Sequence, residues 1–334
     1  MRIRHVVLTS AFAGVERHVC VLANAQARQG HDVEVWGGRP VSMRAFLHDQ
    51  VVHLSAHMTA PTMARALVAT PPDVLHAHMT KAEGASVVPS VLRSTPLVVT
   101  RHFAATRGAT RMGRLAGAII RRRVDAQLAI SNYVARIIDG TSTVVYPGVE
   151  VVETEEEERR PVVLVVQRLQ PEKSTDVALR VFAAGAPADW GLEVVGQGPE
   201  MSDLQDLAEC LGIAERTVFL GFRDDIAKLM RSSSVLVAPC EIEGLGLSVL
   251  EAMSQGLPVL ASDAGAHPET VGRAADPHLF PAGEASRAAA MLSDLCNDVE
   301  LRERYGAELR EVQRTTFTPE AQAEATEAVY RTVL

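Results

Sequence analysis

The sequence predicts an α/β protein built of two doubly wound, Rossmann-like domains facing a central cleft. Three observations carry that expectation. Short runs rich in Val, Leu and Ile alternate with longer segments whose apolar residues recur at helical spacing, which is the pattern of βα units and parallel sheets. The alternation halts at Glu150–Arg160, a stretch holding six Glu with little suited to a core beyond Val151 and Val152, which reads as an exposed interdomain linker, and then restarts. The 334 residues also exceed the roughly 150 that one domain usually organises.

In chain order, Arg4–Leu8 reads as the first strand. Val15–Gln29 has apolar positions at helical spacing and stops at Gly30, a residue suited to the left-handed position after a helix. Val33–Trp36 is the next strand, and breakers at Pro72-Asp73 and Pro96 introduce VLHAH and LVVT. Gln127–Ile130 and Thr143–Tyr146 continue the series up to Pro147-Gly148. Beyond the acidic stretch the strands are Pro161–Val166, Leu192–Val195, Thr217–Leu220 and Ser234–Ala238, and the helices are Ser174–Ala184, Met201–Leu211 and Asp225–Ser232. Thr318–Leu334 closes the chain as a helix, with Thr at the cap and Pro at the first helical position. The expected division is a first domain over residues 1–152, a second over 153–316, and a helix over 317–334 crossing back to the first.

Composition narrows the function classes. A formal net charge of −8 argues against a general polyanion binder, and 4% aromatics leave little for a stacking platform on single-stranded nucleic acid. No run of ~18 uncharged apolar residues appears, and the first apolar run is too short for a signal sequence. Cys20, Cys210, Cys240 and Cys296 form no C-x-x-C pair and read as free thiols of a reducing compartment. The expected location is cytoplasmic.

The most informative segment is PCEIEGLGLSVLEAMSQG, residues 239–256. A strand ends near Ala238, a glycine-containing loop follows, and a helix begins around Leu247. Gly244 and Gly246, flanking Leu245, let backbone N–H groups approach a ligand at a helix start, where the dipole favours anions. Glu243 lies in that loop, and Glu251 sits slightly more than one turn into the helix.

With these glycines between them, Glu243 and Glu251 resemble the E-x(7)-E signature of retaining glycosyltransferases of family 4, whose fold is GT-B. Other segments agree in order. Arg168, Leu169 and Lys173 in QRLQPEK resemble the family's G-R-L-x-x-x-K, and Gly196 and Gly198 in VVGQGPE its G-x-G-P turn. TVFLG at Thr217–Gly221 resembles a V-x-F-x-G strand end, and Gly265 and Glu269 in GAHPE resemble G-G-x-x-E. In the first half, AGVE (Ala13–Glu16, containing Gly14), Gly30-His31, DVLHAH (Asp73–His78), TRH (Thr100–His102) and YPGVE (Tyr146–Glu150) stand where the family has matching segments.

The resemblance implies a nucleoside-diphosphate sugar (UDP- or GDP-sugar) as donor and a sugar, lipid or metabolite hydroxyl as acceptor, with transfer retaining configuration. It makes Glu243, Arg168, Lys173 and His102 the catalytic set. Glu251 would accept the ribose hydroxyls, the backbone at Phe222 and Arg223 would meet the base, and Gly14, Gly198, Gly244, Leu245 and Gly246 would line the donor site. No D-x-D triplet is present, so no divalent metal or other cofactor is expected, with Arg168 and Lys173 supplying positive charge instead. Gln167, Ser174, Ala13 and Ala266 depart from family glycines.

His76 and His78 share one strand face, and His78, nearer the strand's carboxyl end, is the one placed to reach the cleft beside His102. A metal site of His76, His78 and His102 is disfavoured, because no carboxylate or thiolate pattern accompanies them. His31 reads as a neighbour of the helix end. Arg101, Arg107, Arg111, Arg114, Arg121, Arg122 and Arg123 occur without an intervening acid. They read as a solvated loop and helix face in preference to a membrane patch. The acceptor would be set by first-domain loops such as Ser42–His57 and Phe103–Ala116. The competing functions are a silent sugar-nucleotide binder, or a phosphorylase or epimerase of the same shape. A nicotinamide enzyme is excluded by the lack of G-x-G-x-x-G after the first strand.

Overall fold

The computed structural model describes residues 1–9, 12–54, 65, 68–108, 110–150 and 157–334. The chain forms two compact units, Met1–Glu150 with Phe317–Leu334, and Val151–Thr316. Most of the acidic stretch, residues 151–156, and part of the Ser42–His57 loop lie outside the described residues.

The first unit is a seven-stranded parallel sheet of β1 (Arg2–Val7), β2 (Asp32–Gly37), β3 (Val52–Leu54), β4 (Val74–His78), β5 (Leu97–Arg101), β6 (Ala126–Ala129) and β7 (Thr143–Val144). Their order across the sheet is β3-β2-β1-β4-β5-β6-β7. The central strands are buried along their whole length, as expected where helices cover both faces. Val6, Leu75, Leu97 and Val99 pack on one side and Ile3, Val74, Val98 and Leu128 on the other. The first helix, Gly14–Arg28, ends in a Schellman arrangement: His31 N–H donates to Gln26 O, Gly30 N–H donates to Ala27 O, and Gly30 adopts φ +85°. His31 also lies 3.6 Å from Glu327 of the closing helix, so it is more than a neighbour of the helix end.

The closing helix, Pro319–Arg331, belongs to the first unit. Thr318 caps it by accepting from Ala321 N–H, and Tyr330 is fully buried beside Ile3 and Val98. Gly148 donates to Gln322 Oε1 at 2.8 Å, and a Cβ there would fall 2.4 Å from the backbone of Thr318 and Pro319. That close approach is why the turn after β7 carries glycine.

The second unit is a six-stranded parallel sheet of β8 (Val162–Val166), β9 (Gly191–Val195), β10 (Thr217–Gly221), β11 (Val235–Ala238), β12 (Val259–Ser262) and β13 (Leu279–Phe280). The order is β10-β9-β8-β11-β12-β13. Among the described residues no helix is long and apolar enough to cross a membrane.

Two expectations need correction. Arg159, read as part of an exposed linker, turns inward and donates to the carbonyls of Met230, Ser233 and Gln255 at the ends of two helices. The arginine cluster is not a single solvated face either. Arg107 is buried and pairs with Glu83 at 2.6 Å and Asp139 at 2.8 Å, and Arg101 reaches the same Asp139 at 3.0 Å. Burial works to raise the Asp139 pKa, but hydrogen bonds from Arg107 and Arg101 outweigh it and hold it well below the usual carboxylate range. Arg123 pairs with Asp125 and caps the carbonyls of Ser90 and Thr95, which leaves Arg114, Arg121 and Arg122 exposed.

Candidate functional site

In the second unit, β8 is flanked by β9 on one side and β11 on the other, so the chain leaving β8 and the chain leaving β11 run to opposite sides. Such a switch point opens a crevice at the carboxyl ends of the strands. The loops bordering it are Gln167–Ser174 and Pro239–Gly246. Lys173 and Glu243, one from each, form an ion pair with Nζ and Oε2 2.7 Å apart.

Local bonds explain how Lys173 is held. It ends a single 3-10 turn, Pro171–Lys173, and Ser174 beyond it takes φ +53°, a left-handed conformation that suits glycine better. Gln167 compensates: its side chain donates to Lys173 O at 3.0 Å and to Thr175 Oγ1 at 2.9 Å, tying the loop's two ends. Two of the departures from family glycines thus work together. Cys240 Sγ adds a bond to Glu172 O at 3.2 Å, joining the two loops a second time.

Glu243 is fixed from behind. Ala266 N–H donates to its carbonyl, and Gly265, at φ +58°, passes so close that a Cβ would lie 2.7 Å from Glu243 N and O. Ala266 has φ −101°, so its methyl is accommodated and the second family glycine is dispensable. Burial pushes the Glu243 carboxyl up, but the Lys173 charge and hydrogen bond, with His267 and the Gly244 N–H, carry it below the ordinary glutamate value. His267 was not picked out from the sequence. Burial keeps it neutral, and its Nδ1 lies 3.0 Å from Ser262 Oγ.

Gly246, at φ +86°, begins the helix Leu247–Ser254; Leu245 beside it is buried, and Glu251 is half-buried within the helix. Gly198 and Gly196 are required by packing, since a Cβ would meet Leu169 O at 1.9 Å and Gln167 O at 1.8 Å. Arg168 is half exposed and lies 3.6 Å from Glu172, so it stands in the same loop as Lys173 without joining the Lys173–Glu243 pair. Phe222 is 74% exposed after the edge strand β10, and Arg223 is held by Asp225 at 2.6 Å.

Gly14 and His102 belong to the first unit. Gly14 opens its first helix after Ala13, whose extended backbone needs no glycine and whose N–H donates to Glu16 at 2.8 Å. His102 follows β5, is buried, and its Nε2 lies 3.2 Å from His78 Nδ1. His5 and His18, which the sequence did not single out, are buried with them. Two triads, His5–His76–His78 and His18–His78–His102, bring ring nitrogens within 4.8 Å of one another. Both nitrogens of His5, His76 and His78 are already engaged in hydrogen bonds, with partners within 3.2 Å.

The matches to known proteins agree with this architecture. Residues 12–153 match the family described as Glycosyltransferase Family 4, and residues 150–312 match Glycosyl transferases group 1. The lipopolysaccharide core biosynthesis mannosyltransferase LpsB of Rhizobium meliloti is 27% identical over 96% of this chain and 95% of its own length. The N-acetyl-alpha-D-glucosaminyl L-malate synthase of Bacillus anthracis is 32% identical over 44% of this chain and 38% of its own length, so that likeness is partial. Among solved structures, Anabaena Alr3699/HepE in complex with UDP and glucose superposes with a TM-score of 0.82 at 19% identity, covering 99% of this chain and 100% of that one. WaaG, a glycosyltransferase of lipopolysaccharide biosynthesis, superposes at 0.73 with 17% identity over 98% and 99% of the two chains. Two Rossmann-like sheets with these partners define a glycosyltransferase of GT-B fold. Within that class the chain belongs to the family 4 group, its first half the Family 4 domain and its second half the group 1 domain.

Proposed function

We propose that the protein moves a hexosyl residue from a UDP- or GDP-sugar to an acceptor hydroxyl, with retention of configuration and without a divalent metal. The observation that carries this reading is the Lys173–Glu243 pair at the switch point of the second unit. It gathers a cation for phosphate and a carboxylate for sugar hydroxyls at one crevice, beside a helix start favourable to anions. The UDP and glucose of the HepE complex, and the likeness to the mannosyltransferase LpsB, support a nucleotide-sugar donor.

In this reading Lys173 and Arg168 bind the diphosphate, joined by backbone amides at Gly244, Leu245 and Gly246. Glu243 accepts from the donor sugar and Glu251 from the ribose, while the backbone at Phe222 and Arg223 meets the base and Gly198 keeps its turn open to the donor. Following the family resemblance, Gly14 approaches the diphosphate and His102 bonds a sugar hydroxyl. As the bond from the anomeric carbon to the phosphate oxygen breaks, negative charge grows on that oxygen, and Lys173 and Arg168 stabilise it. The acceptor oxygen bonds to the anomeric carbon on the same face, and its proton passes to the departing phosphate. No carboxylate nucleophile is required. Screening UDP-, GDP- and ADP-hexoses against alcohol acceptors in EDTA, with the anomeric configuration read by NMR, tests the reading. An inverted product, or turnover only with added manganese or magnesium, would refute it.

A further inference from the structure

Five of the eleven histidines, His5, His18, His76, His78 and His102, are buried in the first unit. Four of them join two hydrogen-bonded branches that meet at Gln26, a fully buried residue of the helix Gly14–Arg28. On one branch Gln26 Nε2 lies 3.4 Å from Tyr330 OH, which lies 2.6 Å from His76 Nδ1, and His76 Nε2 lies 2.7 Å from Thr100 Oγ1. On the other, Gln26 Oε1 lies 2.7 Å from His5 Nε2, His5 Nδ1 lies 3.0 Å from His78 Nε2, and His78 Nδ1 lies 3.2 Å from His102 Nε2.

Direction propagates along the second branch. A neutral imidazole has one N–H and one lone pair, and an amide oxygen only accepts. Gln26 Oε1 therefore makes His5 Nε2 the donor and leaves His5 Nδ1 an acceptor. His78 must then donate from Nε2 and accept at Nδ1, so His102 donates from Nε2. The lone pair remaining to His102 is on Nδ1, just past the carboxyl end of β5. The first branch agrees: Gln26 Nε2 donates to Tyr330, whose hydroxyl donates to His76 Nδ1, and His76 Nε2 donates to Thr100. Burial keeps the rings neutral, holding His5 at about 4 against the opposing Gln26 bond and His102 at about 3 with Arg101 adding to the effect. The groups facing His102 are His78, the edge-on ring of His18 with centroids 4.7 Å apart, and Arg101.

We propose that Gln26, His5 and His78 are positioning residues that lock His102 in the Nε2–H tautomer, so that its Nδ1 accepts a hydrogen bond from a sugar hydroxyl. The tautomer lock stands on the hydrogen-bond geometry; the sugar hydroxyl rests on the function proposed above. A chain ending on an amide oxygen has no base to receive a proton, so it orients the ring and does not relay protons.

Histidine-selective 15N labelling of the full chain, with long-range 15N–1H correlation at about pH 7.5, reports which ring nitrogen carries hydrogen. The expected spectrum has Nε2–H at His5, His78 and His102. Gln26→Leu should populate both tautomers at His102 and lower turnover about fivefold, the loss of one oriented hydrogen bond, whereas the isosteric Thr100→Val, on the other branch, should change neither. Nδ1–H at His102 in the parent overturns the lock, as does an unchanged His102 spectrum in Gln26→Leu. Stoichiometric capture of Zn2+ by the histidine rings, read in the same spectra, also overturns it by making the nitrogens ligands. Mixed tautomers with full turnover would keep the lock and refute the sugar-hydroxyl role alone.

Discussion

Lys173 Nζ sits 2.7 Å from Glu243 Oε2, although 70 residues separate them in the chain. The contact is made because β8 and β11 are adjacent and parallel, so both loops emerge at the same end of the sheet. A partly buried pair of this kind is poised to be reorganised by a ligand that competes for either member. A phosphate would draw Lys173 and a sugar hydroxyl would donate to Glu243.

Replacing Lys173 by Ala should cut kcat on the order of 10²–10³, the scale of losing one electrostatic stabiliser of a developing oxyanion. Arg168→Ala should act in the same direction. Steady-state kinetics on each variant decide it, and normal turnover by the double variant would show that the charge comes from elsewhere.

If cationic side chains take the phosphate charge as proposed, no divalent metal is needed. Turnover should persist in excess EDTA. A loss that manganese or magnesium reverses would point to carboxylates acting as metal ligands.

Gly265→Ala should damage the site from outside it. Its φ of +58° and the 2.7 Å approach of a Cβ to Glu243 N and O force the Glu243 backbone to move. A destabilisation of about 1–3 kcal/mol is expected, with KM for donor rising. Thermal melts and kinetics measure both, and an unchanged KM would mean that Glu243 does not touch the donor.

Acid should unfold the histidine-bearing unit early. Burial holds His5 at about 4, His102 at about 3, and His18, His76 and His78 well below their ordinary value. In the unfolded chain these rings titrate near ~6.5. Between those values the unfolded state binds more protons than the folded one, so stability falls as pH drops below ~6.5, by up to about 1.4 kcal/mol per pH unit for each ring. The melting temperature should decline steeply from about pH 7 to pH 5.5. A flat profile would contradict five neutral buried rings.

Much of this was legible in the sequence because it depends on local pattern. Strand runs such as Val162–Val166 and Val74–His78, the glycine after the first helix, and the Thr318 cap all appear where the residues predict them. Thr143–Tyr146 shrank to two strand residues, since β7 is the sheet's edge and Pro147 follows directly. The short strands β3 and β13 carry too few residues for a period to register. What the sequence concealed was pairing at long range. Arg107 looked like one surface arginine among seven until Glu83 and Asp139 were found beside it. His5 and His18 share no motif with His78 and His102; the β1–β4 register, with His5 opposite His76, brings His5 to them, and His18 arrives from the first helix, Gly14–Arg28. Gln167 and Ser174 read as separate departures from family glycines, and their cooperation is a matter of side-chain geometry.

The proposed transfer requires one nucleotide-sugar site around Lys173 and Glu243. Isothermal titration of UDP-, GDP- and ADP-hexoses in EDTA, against the parent, Lys173→Ala and Glu243→Ala, tests it most directly. The parent should bind a UDP- or GDP-hexose at one site per chain. Lys173→Ala should weaken that binding by about 1.5–3 kcal/mol, the worth of a hydrogen bond to a charged group, or roughly 10–150-fold in Kd. No binding by any donor, or equal affinity in all three proteins, would contradict it.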